Sequence, residues 1–114
     1  MPLSSPFSTG GDPAAAVIDH AEMVKASAEG SCAIVDVREP HEYEAGHIPG
    51  AINQPLSRFD PAELPQGKPV VLVCQAGVRS LTALRKAVAA GVEDIGHYLE
   101  GTAGWRRHGG DLEI

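Results

Sequence analysis

The residues best suited to chemistry lie together at positions 73–80, which read VCQAGVRS. An apolar run precedes this segment and helical spacing follows it, and ligands of open parallel sheets bind at such junctions. Gly77 permits the sharp turn needed after Cys74. Backbone N–H groups in the turn, together with the helix N-terminus, favour thiolate over thiol. We therefore predict a reactive Cys74; the alternative is a small buried packing residue, the usual role of a free cysteine.

Strands must position this segment, and the sequence contains two clear ones. Residues 32–37 and 69–73 are continuous apolar runs rich in β-branched side chains, which is typical of strands buried on both faces. Residues 17–18 and 95–99 predict shorter strands. The connection 38–55 is rich in Pro, Gly, His and Glu, and its length indicates a functional or fold-specific role.

Helix signals alternate with the strands. Asp19 is a predicted N-cap of a helix of about ten residues, with Glu22 as its capping-box partner and Gly30 as the stop. Apolar residues at three- and four-residue spacing predict a second helix over 80–91. A short helical turn is expected near 41–45. This alternation of strands and helices predicts an α/β fold with a mostly parallel sheet of four or five strands.

Length and charge narrow the function classes. The chain has 114 residues, enough for one domain, which we place at 14–114 behind a flexible, Pro- and Ser-rich leader at 1–13. Nine basic against fifteen acidic residues give a net charge of −6, which argues against a nucleic-acid partner. No apolar run approaches the roughly 20 residues needed to span a bilayer, and no signal pattern begins the chain. We expect a cytoplasmic protein with no membrane partner.

Several motifs in one order resemble the single-domain rhodaneses, the thiosulfate sulfurtransferase family. The resemblance covers roughly residues 17–110 and implies a three-layer domain with helices on both faces of the sheet. The motifs that carry it are 36–38 (DVR), 42–43 (EY), 46–53 (GHIPGAIN), 74–80 (CQAGVRS) and 99–101 (LEG) with Trp105.

The resemblance implies that Cys74 carries the transferred sulfur as a persulfide, with no metal or other cofactor. It also implies that Arg79 closes the active-site loop and helps to hold an anionic donor. The substrate-binding residues that it implies are Gln75, Ala76, Gly77, Val78, Arg79 and Ser80. The donor would be thiosulfate or a persulfide, and the acceptor cyanide, a thiol or a sulfur-accepting protein.

The sequence departs from the family pattern at two positions. Gln75 stands where the family often has Arg, which removes one positive charge from the rim and bears on donor preference. Thr102 stands where the C-terminal signature usually has a second Gly, which bears on the local turn rather than on the chemistry.

Structural roles are predicted for five other conspicuous side chains. Asp36 and Arg38 are interpreted as an ion pair that pins a strand to the long connection. His47 is interpreted as a turn histidine bonded to backbone rather than a general base. Trp105 is a predicted core residue. Cys32 is a predicted packing residue, with a role in resolving oxidised Cys74 as the alternative.

The remaining histidines and arginines give weaker signals. Two arginines lie near the C-terminus, Arg106 and Arg107. They place positive charge near the site if that segment folds back over it, and otherwise they form a solvent-exposed face. Four histidines lack metal-ligand spacing on any one element, so no metal site is predicted: His20, His41, His97 and His108.

The functional hypothesis is two-step sulfur transfer through Cys74. One alternative is a persulfide relay or a regulatory rhodanese-like module acting on a protein partner. Another is a rhodanese-like phosphatase or arsenate reductase. Those enzymes place five residues between Cys and Arg, whereas four lie between Cys74 and Arg79. The shorter loop favours a cradle sized for sulfur.

Overall fold

A five-stranded parallel sheet with helices on both faces forms the core of the computed structural model, which describes Phe7 and residues 16–114. Its strands run in the order β1-β5-β4-β2-β3, and all four pairings are parallel. The strands are Val17–Ile18 (β1), Ala33–Asp36 (β2), Ile52–Asn53 (β3), Val70–Val73 (β4) and Ile95–Tyr98 (β5). The helices are His20–Glu29 (α1), Pro40–Glu44 (α2), Val78–Ala89 (α3) and Gly101–Arg107 (α4). Two 3-10 helices cover Leu56–Arg58 and Pro61–Glu63.

Alternate residues of β4 face opposite layers, so this strand is buried on both sides. Val71 and Val73 belong to the core on the α1 and α4 side, which includes Met23 of α1. Leu72 and Cys74 belong to the core on the α3 side. The predicted three-layer α/β architecture is therefore confirmed, and it places Cys74 under the first turn of α3.

Local signals set both ends of α1 and the start of α3. Asp19 accepts the Glu22 backbone N–H at 2.9 Å, and Gly30 ends α1 in the left-handed region at φ +70°. Helix α3, which the sequence predicts to begin at Ser80, begins at Val78. Gly77 completes the preceding turn at φ +90°, so the next residue already takes helical dihedrals.

The connection after β2 is pinned as predicted. Arg38 Nη2 donates to Asp36 Oδ2 at 2.8 Å and to the Gly46 carbonyl at 2.7 Å, and both charged residues are buried. His47 Nδ1 lies 2.9 Å from the Tyr43 carbonyl, and the two rings stack. These contacts confirm structural roles for the ion pair and for the turn histidine.

The leader prediction for 1–13 falls largely outside the described residues. Its one described member, Phe7, is buried in the core on the α1 and α4 side. A Cβ at Gly96 would overlap the Phe7 ring, so this ring packs directly against Gly96 of β5. Within the described residues, no helix is long and apolar enough to cross a membrane.

Candidate active site

The carboxyl end of β4 delivers Cys74 to the start of α3. Its side chain is 1% exposed, and Sγ lies beneath the turn formed by the next residues. The Gly77 N–H donates to Sγ at 3.1 Å and the Ser80 N–H donates at 3.3 Å. An N–H group can only donate, so both contacts favour the negatively charged sulfur over the neutral thiol.

Backbone N–H groups at the start of α4 hydrogen-bond to the carbonyl groups of this turn. Thr102 N–H donates to the Cys74 carbonyl at 2.9 Å, and Ala103 N–H donates to the Gln75 carbonyl at 3.1 Å. Gly101 has φ +68°, and a Cβ there would overlap the Gln75 carbonyl. The required glycine is therefore Gly101. Thr102 fits the helix with its side chain buried, so this departure leaves the turn intact.

Gly77 is required on two grounds. Its φ of +90° is costly for any residue with a side chain, and a Cβ would lie 2.6 Å from the Leu99 carbonyl oxygen and 2.9 Å from Leu99 Cδ1. The chain after β5 therefore packs directly on the turn. This close approach aims the Gly77 N–H at Sγ.

Arg79 ties the loop to the long connection. Its Nη1 and Nη2 donate to the two carboxylate oxygens of Glu42 at 2.6 and 3.0 Å. These bonds lower the pKa of Glu42 to about 2, so the carboxylate is ionised at neutral pH. Arg79 thus links the loop to the long connection, and its guanidinium already has an anionic partner. Its role in holding an anionic donor stays a prediction.

The other predicted loop residues form the rim. Gln75 and Ala76 are exposed, and Val78 is 75% exposed. A cleft of about 190 Å³ lies beside the rim and is lined by Gln75, Thr102 and Arg106 among others. The C-terminal segment therefore does fold back beside the loop, and it brings the positive charge of Arg106 there.

Sequence reasoning missed His97, which is linked to the sulfur through the predicted loop residue Ser80. Ser80 Oγ lies 3.4 Å from Cys74 Sγ, and its other contact is His97 Nδ1 at 2.9 Å. Burial lowers the pKa of His97, which is 2% exposed. From the sequence alone, His97 stands out only as a candidate metal ligand. The available signal was its two-residue spacing from Ile95, which places both side chains on the α3 face of the sheet.

Cys32 lies at the opposite end of the sheet. It precedes β2, whereas Cys74 follows β4, and Asp36 is level with Val73. Five residues of strand therefore separate the two cysteines, about 16 Å at 3.3 Å per residue. They also belong to different cores. Because a disulfide needs Cα atoms within about 7 Å, the alternative in which Cys32 resolves Cys74 within one chain is wrong.

The structure does bring together three residues that could hold a metal ion: His20, Glu100 and His108. They come from α1, the N-cap of α4 and its C-cap, which spacing along the chain does not reveal. The two imidazole rings are stacked at 3.7 Å with planes 16° apart. Such planes do not meet within the about 2 Å of a metal–nitrogen bond, so this arrangement fits a hydrogen-bonded surface cluster instead.

Comparison with known proteins places the chain in a family. The rhodanese-like domain profile matches residues 19–108. An uncharacterized Synechocystis protein is 47% identical over 78 residues, covering 67% of this chain and 44% of that protein. The chain therefore spans less than half of that relative's length.

Two relatives with named activities are also similar. The thiosulfate sulfurtransferase GlpE of Pseudoalteromonas translucida is 36% identical over 76 residues, covering 63% of this chain and 70% of that protein. The structure of a human single-domain sulfurtransferase superposes with a TM-score of 0.68 at 28% identity, covering 85% of this chain and 97% of that one. On the profile match and the shared fold, the chain belongs to the rhodanese-like domain family.

Proposed function

We propose that the protein is a sulfurtransferase that carries a sulfane sulfur as a persulfide on Cys74. The observation that carries this proposal is the pair of backbone N–H donors, from Gly77 and Ser80, aimed at the Cys74 sulfur. A thiolate stabilised in this way needs no general base. The named sulfurtransferase relatives support the same reaction class.

The first step forms a bond between Cys74 Sγ and the outer sulfur of thiosulfate or of a persulfide donor. The sulfur–sulfur bond of the donor breaks, and its electron pair leaves with sulfite or with a thiolate. In the second step a nucleophilic acceptor, cyanide or a thiol, attacks the terminal sulfur. Cys74 then leaves as a thiolate, so the protein returns to its starting state with no net oxidation.

The protein contributes preorganised dipoles. The carbonyls of Cys74 and Gln75 are held from behind by N–H groups of α4, so the loop amides need not reorganise when the negative charge moves to the terminal sulfur. Thiosulfate adds negative charge at the rim. Arg106 in the neighbouring cleft is the cation that we assign to it, since Arg79 is paired with Glu42.

Loop length favours this function over phosphoryl or arsenate chemistry. Only four residues separate Cys74 and Arg79, and the Sγ atom is buried beneath them. A phosphoryl group must expose three equatorial oxygens to loop donors during transfer. The short, closed turn suits a single sulfur atom better.

Intact-mass measurement after incubation with thiosulfate tests the proposal. We expect a gain of one sulfur atom in the wild-type protein, its loss on adding cyanide, and no gain in Cys74→Ser. Cys32→Ser is the matched control and should behave like wild type. A stable gain in Cys74→Ser, or no gain with either thiosulfate or a low-molecular-weight persulfide, would contradict the assignment.

A further inference from the structure

A buried hydrogen-bonded chain leads from the reactive sulfur into the sheet. Cys74 Sγ contacts Ser80 Oγ at 3.4 Å, and Ser80 Oγ contacts His97 Nδ1 at 2.9 Å. All three side chains are at most 2% exposed. They come from β4, α3 and β5, so the fold brings them together rather than any local motif.

The Ser80 hydroxyl has one proton, and this limits what the chain can do. When Cys74 is a thiol, its S–H donates to Ser80 Oγ, and the hydroxyl donates to the lone pair of His97 Nδ1. When Cys74 is a thiolate, the hydroxyl must donate to Sγ. Its oxygen then accepts a hydrogen bond, and the donor in position is an Nδ1–H of His97. The two states of the sulfur therefore need different tautomers of His97.

We propose that His97 is a positioning residue, which orients the Ser80 hydroxyl through a change of tautomer and thereby raises the thiolate fraction of Cys74. The proton of Cys74 passes to the Ser80 oxygen while the hydroxyl proton passes to Nδ1, and Nε2 of His97 gives up its own proton. The net ionisation therefore releases one proton, from Nε2, and leaves His97 neutral. This inference rests on the proposed role of Cys74 as the nucleophile, but not on the identity of the sulfur donor.

We expect His97 to favour the thiolate because the hydrogen bonds are stronger in the thiolate state than in the thiol state. Hydrogen bonds to an ionised group are roughly twice as strong as those between neutral groups, and each bond polarises the next. His97 therefore stabilises the thiolate chain more than the thiol chain. Burial keeps His97 neutral at physiological pH, because it lowers the pKa of that imidazole.

No charged group on the neighbouring described elements accounts for the stabilisation of the Cys74 thiolate that we assign to His97. β5 pairs with β4 and β1, where Leu72 and Val17 are the register partners of His97. Within residues 16–114, burial is the resolved cause of the shift at His97, with no charged neighbour contributing. On the loop side, Arg79 interacts electrostatically with Cys74 and is itself paired with Glu42.

The test compares His97→Leu with His97→Asn in a Cys32→Ala background. Asn carries an amide nitrogen at the side-chain position of Nδ1, whereas Leu fills the space without a polar atom. The rate of alkylation by iodoacetamide is measured against pH. We expect His97→Leu to move the midpoint of the profile upward by about one pH unit, which is a tenfold lower rate on the acidic limb, with the same plateau at high pH. His97→Asn should recover at least half of that shift.

A purely structural role would lower the rate at all pH values, because a displaced sulfur reacts slowly even when fully ionised. Ser80→Ala provides the second arm: in that background, His97→Leu should cause no further shift. An unchanged midpoint in His97→Leu, a uniform loss across pH, or an equal shift in the Ser80→Ala background would each overturn the proposal.

A measurement on the wild-type protein covers the case in which His97→Leu fails to fold. Nitrogen-15 chemical shifts distinguish the two imidazole tautomers, and those of His97 should change with the same pH midpoint as the alkylation of Cys74. A His97 tautomer that stays constant across that midpoint would refute the inference. Both readouts stand even when the protein accepts no sulfur from thiosulfate, so the proposed function fails or holds separately.

Discussion

Adding one methyl group at Gly77 tests whether the turn itself activates the sulfur. In Gly77→Ala the new Cβ would lie 2.6 Å from the Leu99 carbonyl oxygen, which is backbone and cannot move away cheaply. The turn must shift instead, and the N–H now 3.1 Å from Cys74 Sγ shifts with it. We expect this change to weaken a hydrogen bond to a charged sulfur.

The Gly77→Ala substitution is expected to change two separate quantities, the folding free energy and the stability of the Cys74 thiolate. A side chain at positive φ costs roughly 1–2 kcal/mol of folding free energy. Loss of a hydrogen bond to a charged group costs about 1.5–3 kcal/mol. The second part acts on the thiolate, and at 1.36 kcal/mol per decade it predicts a roughly 10- to 100-fold lower rate of sulfur loading.

Gly91→Ala is the matched control. Gly91 has φ +87°, close to the +90° of Gly77, and an added Cβ meets no atom within 4 Å in the described part of the chain. It should lose only the roughly 1–2 kcal/mol of a side chain at positive φ in urea denaturation, while keeping wild-type rates of iodoacetamide alkylation and of thiosulfate loading. If Gly77→Ala reacts within twofold of Gly91→Ala, the turn amide does not activate the sulfur and the reasoning is wrong.

Three further substitutions test the Arg79–Glu42 pair, the Asp36–Arg38 ion pair and the separation of the two cysteines. Arg79 lowers the pKa of Glu42 from 4.5 to about 2, so the ionised carboxylate stabilises the fold above pH 4.5. In urea denaturation, the stability advantage of wild type over Glu42→Gln should therefore shrink as the pH falls towards 2. A difference in stability that stays constant over this pH range would contradict the prediction. Asp36→Asn leaves Arg38 as an uncompensated buried charge, so we expect a loss of about 3–5 kcal/mol in chemical denaturation; a loss below about 1 kcal/mol would argue against the pin. Cys32→Ala should leave the sulfur-loading rate within twofold of wild type, because Cys32 lies at the far end of the sheet; a large decrease would argue for coupling between the two ends.

Local patterns predicted the parts of the fold that local forces decide. The β-branched run of β4 is buried on both faces, as its uniform apolarity indicated, and Gly30 ends α1 through its left-handed conformation. The strand Ile52–Asn53 was missed because it has only two residues and Ile52 is 45% exposed. Its pairing with β2 is decided by the sheet, not by its own sequence.

In the candidate site, too, the features set by local sequence were predictable and the long-range contacts were not. Cys74 and Gly77 were predictable because a strand, a turn and a helix follow one another along the chain. The partner of Arg79 was not predictable, since Glu42 is 37 residues away. The contact between Ser80 and His97 likewise depends on the pairing of β5 with β4. Long-range partners of this kind leave no periodic signal in one sequence.

Supports from two distant segments, residues 99–103 and the connection that contains Glu42, hold one short turn, and this bears on how the chemistry is controlled. The first residues of α4 hold its carbonyls, Leu99 restricts Gly77 to a glycine, and Glu42 fixes Arg79. Among the described residues, the hydrogen bonds to Cys74 Sγ come from Gly77 and Ser80 and not from these supports. A turn held in this way presents its amides before any donor arrives, which is what electrostatic preorganisation requires. Substitutions in these supports should therefore alter the rate of sulfur loading through loop geometry, even though the nucleophile and its two N–H donors remain in the sequence.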